Sequence, residues 1–138
     1  MPKSTTERLL DWRVLVPLLG VILVGGAVAV EMHEAREKAA LATTLTGGDP
    51  SRAPALMTRY GCAGCHAIEG IPGADGQVGP PLKQLIERVY IGGTAPNNAG
   101  NLVGWLLDPP RFAPHTAMPP PGLSETEARD IAAYLYAH

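Results

Sequence analysis

The sequence predicts an all-α fold: a single N-terminal transmembrane helix followed by a small, loop-rich helical domain. Three observations carry this. Residues 14–30 (VLVPLLGVILVGGAVAV) hold no charged and no strongly polar side chain. Strand-forming runs are rare, whereas helical spacing recurs over residues 51–61, 101–108 and 125–137. Gly (16) and Pro (14) are abundant and aromatics make up 5%, so much of the remaining chain is loop. At 138 residues there is room for one domain and an appendage. A small domain of this composition has a thin core and needs a staple. The net charge is −2 and no basic stripe is present, which argues against a nucleic-acid partner.

Residues 1–13 carry Lys3, Arg8 and Arg13 against Glu7 and Asp11. The apolar run that follows spans roughly 26 Å in helix at 1.5 Å per residue, short for a bilayer but extended by Leu9, Leu10 and Trp12, the last suited to the interface. Pro17 falls early, where helical N–H groups lack partners anyway. Two readings compete: a retained anchor, and a signal peptide cut after Ala27-Val28-Ala29. The run exceeds the usual signal core, which favours the anchor. Basic flanks stay in the cytoplasm, so the C-terminal domain lies outside it under either reading. Residues 1–30 thus form the cytoplasmic tail and anchor, and residues 31–50 a helical stalk and linker. Glu34 and Lys38 are four apart on a solvated stalk face, His33 reads as part of that face, and Gly47-Gly48-Asp49-Pro50 ends the helix. Residues 51–138 form the remaining domain.

A short helix over 51–61 leads into Cys62-Ala63-Gly64-Cys65-His66. C-x-x-C-H is the attachment signature of c-type haem. Two cysteines three apart on one turn reach two vinyl groups along one haem edge, and the following histidine is carried under the ring to the iron. A thioredoxin-like pair needs a βαβ context, which is not visible. A structural zinc site needs four ligands, and the chain has only two cysteines, so only a site completed by two histidines stays open. On the haem reading both cysteines are occupied and no disulfide is expected. One motif implies one covalent haem. Met57, on the approach helix, reads as core.

Residues 67–82 read as a loop. A ligating histidine donates its second ring N–H to a carbonyl, and the stiff stretch Gly79-Pro80-Pro81-Leu82 can supply it or be merely a rigid turn. Residues 83–90 (KQLIERVY) look helical. After turn residues at 92–98, Asn101 can cap a helix that runs to Asp108. Trp105 on that helix is either plain core or a donor to a haem propionate. Met118, in the Pro-flanked loop Pro114-His115-Thr116-Ala117-Met118-Pro119, is the candidate sixth iron ligand opposite His66, with His115 as its rival; His/Met ligation raises a haem's potential. Ser124 and Glu127 form a capping box, and Ala128, Ile131, Ala132 and Leu135 line one face of the last helix, placed to cross the 51–61 helix near Tyr60 and Tyr134.

Taken together, Tyr60-Gly61, Cys62-Ala63-Gly64-Cys65-His66, Gly79-Pro80-Pro81-Leu82, the Trp105 helix, Ala117-Met118-Pro119 and the helix around Ala132-Ala133-Tyr134-Leu135 resemble, in that order, class I c-type cytochromes. The resemblance implies the small cytochrome c fold, with first and last helices crossed and the haem buried but for one edge. It implies thioether bonds at Cys62 and Cys65, axial ligation by His66 and Met118, and the Pro80 carbonyl as partner of the His66 ring. It also implies maturation on the outer side of a bacterial inner membrane. Tyr90-Ile91-Gly92-Gly93, Asn101-Leu102-Val103-Gly104-Trp105-Leu106 and Thr116-Ala117-Met118-Pro119 look more narrowly like cytochrome c domains that accompany bacterial terminal oxidases.

The expected function is single-electron transfer in a respiratory chain, between a quinol-oxidising complex and a terminal oxidase or within the latter. With both axial positions filled, no site is open to a small-molecule substrate, so the chain is expected to be a carrier and not an enzyme. The alternatives are the haem subunit of a periplasmic dehydrogenase, or a haem sensor or peroxidase-like protein if Met118 is not a stable ligand. Family members often dock through a ring of lysines, but residues 51–138 hold six Lys+Arg against seven Asp+Glu. An apolar docking face around the haem edge (Ala63, Gly64, Val78, Pro119, Pro120) is therefore expected.

Overall fold

The computed structural model describes residues 12–138, so the expectations that rest on Lys3, Glu7, Arg8, Leu9, Leu10 and Asp11 lie outside the described residues. The chain divides after Arg36 into two compact units. Helix α1, Trp12–Thr46, contributes to both. In the first unit its apolar side chains, from Trp12 through Val30, are exposed. This stretch is long and apolar enough to cross a membrane, the test a signal sequence also passes, and it is consistent with a single-pass anchor. Pro17 sits in the second turn without ending the helix.

The second unit begins with the last turns of α1, where Ala42 and Thr46 are buried. The helix stops because Gly47 takes the left-handed conformation (φ 71°) that glycine tolerates at a C-terminus, its N–H reaching the Thr43 carbonyl at 2.8 Å. The α1 terminus is then fastened to the last helix of the chain, Glu125–Ala137. Arg129 Nη1 donates to the Thr46 carbonyl at 2.9 Å, satisfying one of the orphan carbonyls of the helix end. The buried Asp130 accepts from the Asp49 N–H at 2.8 Å and lies 3.4 Å from the Arg52 guanidinium. A side chain at Gly48 would collide with the Arg129 backbone.

A 3₁₀ turn, Pro50–Arg52, capped by Asp49, leads into α2, Ala53–Arg59. Strands β1 (Tyr90–Ile91) and β2 (Ala95–Pro96) form a minimal antiparallel hairpin. Helices α3 (Ala99–Leu107), α4 (Pro109–Phe112) and α5 (Glu125–Ala137) complete the unit. Helix α5 packs against both α2 and α3. Its Ala128, Ala132 and Ala133 are fully buried, and such small side chains let helix backbones approach closely. Ser124 and Glu127 make the expected capping box, with Ser124 N–H donating to Glu127 at 2.9 Å. The Tyr60 hydroxyl adds a third donor to that carboxylate at 3.0 Å. These donors, Ser124 backbone first, hold Glu127 below the usual carboxylate range. Tyr134 turns its hydroxyl to the Glu69 carbonyl at 2.7 Å.

Two local expectations are corrected. Residues 83–90 are not a helix: only Leu85–Glu87 form a 3₁₀ turn, after Gln84 in a left-handed conformation (φ 52°). Eight residues behind two prolines are below the length at which a helix holds without packing. Instead Asn97 takes their carbonyls from across the hairpin, donating to Leu85 at 2.7 Å and Arg88 at 2.8 Å. The cap of α3 is Asn98, not Asn101. Asn98 has the extended backbone a cap requires and accepts from the Asn101 N–H at 2.9 Å, while the Asn101 amide goes to the Pro96 carbonyl. The helix closes at Leu107, and Pro109 starts α4, where a missing N–H costs nothing.

Candidate haem site

A cavity of about 830 Å³ opens in the second unit, between the motif turn, α3, the hairpin and the loop before α5. Its lining is overwhelmingly apolar, and Arg88 is the one Lys, Arg, Asp or Glu among the described residues that line it. Cys62, Cys65, His66, Pro80, Trp105 and Met118 all border this same space. His115 borders it too, so loop placement alone does not separate it from Met118.

The motif turn is shaped by its neighbours. Gly61 takes a left-handed conformation (φ 73°) that turns the chain from α2 into the 3₁₀ turn Cys62–Gly64. The His66 N–H returns to the Cys62 carbonyl at 3.0 Å, closing a turn whose Cys62, Cys65 and His66 all border the cavity. Burial pushes the Cys62 thiol up, so before attachment it is held protonated at neutral pH. The loop over residues 67–82 wraps this turn. Gly76 lies so close to the Cys65 and His66 backbones that a Cβ would come within 2.5–2.7 Å of them. A Cβ at Gly79 would strike the His66 ring. The Gly79 N–H donates to the Cys65 carbonyl at 2.8 Å, which carries Pro80 into place, and His66 Nδ1 donates to the Pro80 carbonyl at 2.8 Å. A carbonyl can only accept, so the proton sits on Nδ1 and the Nε2 lone pair is left available.

On another wall of the cavity Met118 is half-buried in its proline-flanked loop. Its N–H donates to Thr116 Oγ1 at 3.2 Å, and the Thr116 N–H to the Ala113 carbonyl at 2.9 Å. Trp105 is 8% exposed, and its Nε1–H donates to Met118 Sδ across 3.3 Å. The indole's partner is therefore a third choice beside the two expected for it. Its ring is set by other groups: Phe112 lies 6.2 Å away at 46°, and a Cβ on Gly92 (φ 56°) would run into it. Met57 is core, 1% exposed, and borders the cavity.

The sequence assigns Arg88 no role and shows Gly76 and Gly92 as turn residues only, not as close contacts at the site. Arg88 folds back to donate to the Pro81 and Lys83 carbonyls, bracing the segment next to Pro80. No spacing signal marks it, because its role depends on the failure of 83–90 to form a helix.

The residues present fit a c-type haem. Two thiols, an imidazole in the right tautomer and a thioether border one apolar space, and the loop is glycine-relieved where it must lie against the imidazole. The rival chemistries find less support. Among the described residues the only sheet is the hairpin of two two-residue strands, with no βαβ unit. Among the described residues no three His, Cys, Asp or Glu side chains gather where they could hold an ion by themselves. Gly79→Ala tests the fit. Displacing the ring from its Pro80 partner is expected to weaken His66 ligation about 10-fold or more, read as loss of the six-coordinate, low-spin spectrum in a large fraction of molecules. A variant spectrum identical to wild type would show that the ring does not depend on this contact.

A family model described as Cytochrome c matches residues 51–137. No curated protein and no solved structure matches the chain.

Proposed function

The chain belongs to the cytochrome c family, as the match over residues 51–137 shows, and from that premise we propose that it is a membrane-anchored monohaem carrier passing single electrons in a respiratory chain, to or within a terminal oxidase. Family membership makes it a class I c-type cytochrome, an electron carrier with covalently bound haem c. When bound, that haem supplies a one-electron couple. Cys62 and Cys65 would hold its edge through thioether bonds. His66 would offer Nε2 to the iron while Pro80 holds Nδ1–H, which fixes the ring and raises its basicity. Met118 would offer its sulfur, and a soft thioether favours the reduced state. The apolar lining excludes water and keeps charge changes expensive except where Arg88 stands.

The observation that carries this reading is that the four donors border one apolar cavity while the Pro80 carbonyl orients the imidazole. The anchor is residues 14–30, followed by the stalk and linker through residue 50 and the cytochrome c domain over 51–138. The family's maturation chemistry and the basic N-terminal flank support a bacterial inner membrane with the haem domain outside the cytoplasm. A tether of this kind replaces free diffusion by a high effective concentration at the membrane. The domain's near-even charge and the 75% exposure of Val78 beside the cavity support docking of a redox protein through an apolar haem-edge face.

Carbon monoxide provides the test. With both axial positions filled by His66 and Met118, the reduced wild-type protein is expected to bind carbon monoxide negligibly at neutral pH. Ready binding would overturn the carrier reading in favour of a sensor or peroxidase-like one.

A further inference from the structure

Gly47-Gly48-Asp49-Pro50 has the composition of a flexible linker, and such a linker leaves its backbone to water. In the second unit this backbone is bonded throughout. The Gly47 N–H goes to the Thr43 carbonyl at 2.8 Å, the Gly48 N–H to Thr46 Oγ1 at 3.2 Å and the Asp49 N–H to Asp130 Oδ1 at 2.8 Å. Pro50 has no N–H, and its ring fixes φ. The Ser51 and Arg52 N–H groups return to Asp49, at its carboxylate (2.9 Å) and its carbonyl (3.3 Å). Every main-chain donor from 47 to 52 therefore has a partner within the protein. Two bonds cross to α5: Asp49 N–H to Asp130, and Arg129 Nη1 to the Thr46 carbonyl at 2.9 Å. Gly48 is buried against the Arg129–Asp130 backbone, where a Cβ would collide. Asp130 is 2% exposed; its Oδ2 makes no hydrogen bond and lies 3.4 Å from the Arg52 guanidinium. Burying a carboxylate is costly, and this one does not line the cavity.

We propose that residues 47–50 are a fixed joint clasped by Arg129 and Asp130 of α5, so that residues 37–46 of α1 move as one body with the cytochrome c domain. The joint stands on these contacts alone. Its meaning for electron transfer rests on the reading of the chain as an anchored carrier. A carrier that swings between two complexes needs slack in its tether. This loop, where composition places the slack, supplies none. The arrangement fits a redox partner held beside the domain in one assembly, over two partners visited in turn.

The test uses haem-loaded, full-length protein in detergent. Spin labels on Leu45→Cys and Thr126→Cys, both exposed positions, report the distance between the end of α1 and the start of α5. A single narrow distance distribution is expected, and a broad one would overturn the proposal. Gly48→Ala and Asp130→Ala are each expected to broaden it, whereas Asp130→Asn, which keeps a carbonyl for the Asp49 N–H, is expected to stay narrow. Gly48→Ala removes no buried charge, so it decides the matter if Asp130→Ala does not accumulate. A distribution that stays narrow in Gly48→Ala and in any Asp130→Ala obtained would overturn the clasp. Amide exchange gives a second readout. The Asp49 N–H is expected to exchange at least ~100-fold slower than in an unstructured chain, and about 10-fold faster in Asp130→Ala than in the unaltered protein. Exchange at the unstructured rate in the unaltered protein would also overturn the proposal. The visible spectrum is expected to be unchanged in every variant. Failure of the carrier reading, seen as no covalent haem, thus stays distinct from failure of the joint, seen in the distances.

Discussion

Met118→Ala is expected to lower the reduction potential by on the order of 0.1 V, within the roughly 0.8 V range that axial ligation covers, and to make the reduced protein bind carbon monoxide. The physical reason is the loss of the thioether that the proline-flanked loop brings to the cavity. Met57, the other methionine on the lining, is 1% exposed and packed into the core from α2. His115, three residues away on the same loop, also borders the cavity and can substitute. If it did, the variant would stay six-coordinate, reject carbon monoxide and show the still lower potential of two imidazoles. The double replacement Met118→Ala/His115→Ala separates these outcomes: gas binding in the double variant but not the single one would identify His115 as the stand-in. A single variant with wild-type potential and no gas binding would show that Met118 never held the iron.

The second large effect is structural. Replacing both Cys62 and Cys65 by alanine is expected to leave a chain that does not hold its fold at 25 °C. The core of the second unit is a shell around a space of about 830 Å³. At about 24 cal/mol per Å³ of unfilled volume, leaving it empty would cost up to ~20 kcal/mol, and even a third of that is comparable to the 5–15 kcal/mol stability of an ordinary domain. The open mouth admits water, so the full figure is an upper bound. Without the covalent links a haem would be held only by its proposed axial ligands and by contact. Far-UV circular dichroism of the double variant, matured beside wild type, should show helix reduced toward the contribution of α1. Native-like helix content together with a cooperative thermal transition would mean that the domain has a core independent of its cofactor.

Much of the site was legible in the residues because its chemistry acts over short distances along the chain. The spacing of Cys62, Cys65 and His66 is dictated by covalent geometry, and so survives any tertiary context. The same holds for the Ser124–Glu127 capping box, which closes within one helical turn, and for the glycines that end α1. Met118 could be named as a candidate because few soft donors exist in so small a chain, and it does border the cavity. What was not legible depends on contacts between distant segments. Residues 83–90 carry helical composition, yet Asn97, reached only once the hairpin closes, takes their carbonyls. Asn98 and Asn101 are equally good caps by residue type, and backbone torsion chose between them. The burial of Ala42 and Thr46 depends on how the end of α1 meets Arg129 and Asp130, more than 80 residues on. The direction of the Trp105 N–H follows from where Gly92 and Phe112 place the ring. Composition has no access to that.

Covalent attachment of a haem at Cys62 and Cys65 is read from the mass of the proteolytic peptide carrying Cys62–His66, from full-length chain produced in a host able to mature c-type cytochromes and then treated with a thiol alkylating reagent. The expected peptide is heavier by one haem, with neither cysteine alkylated. A peptide free of haem and bearing two alkyl groups would show that both cysteines are free thiols and that no haem is bound through them.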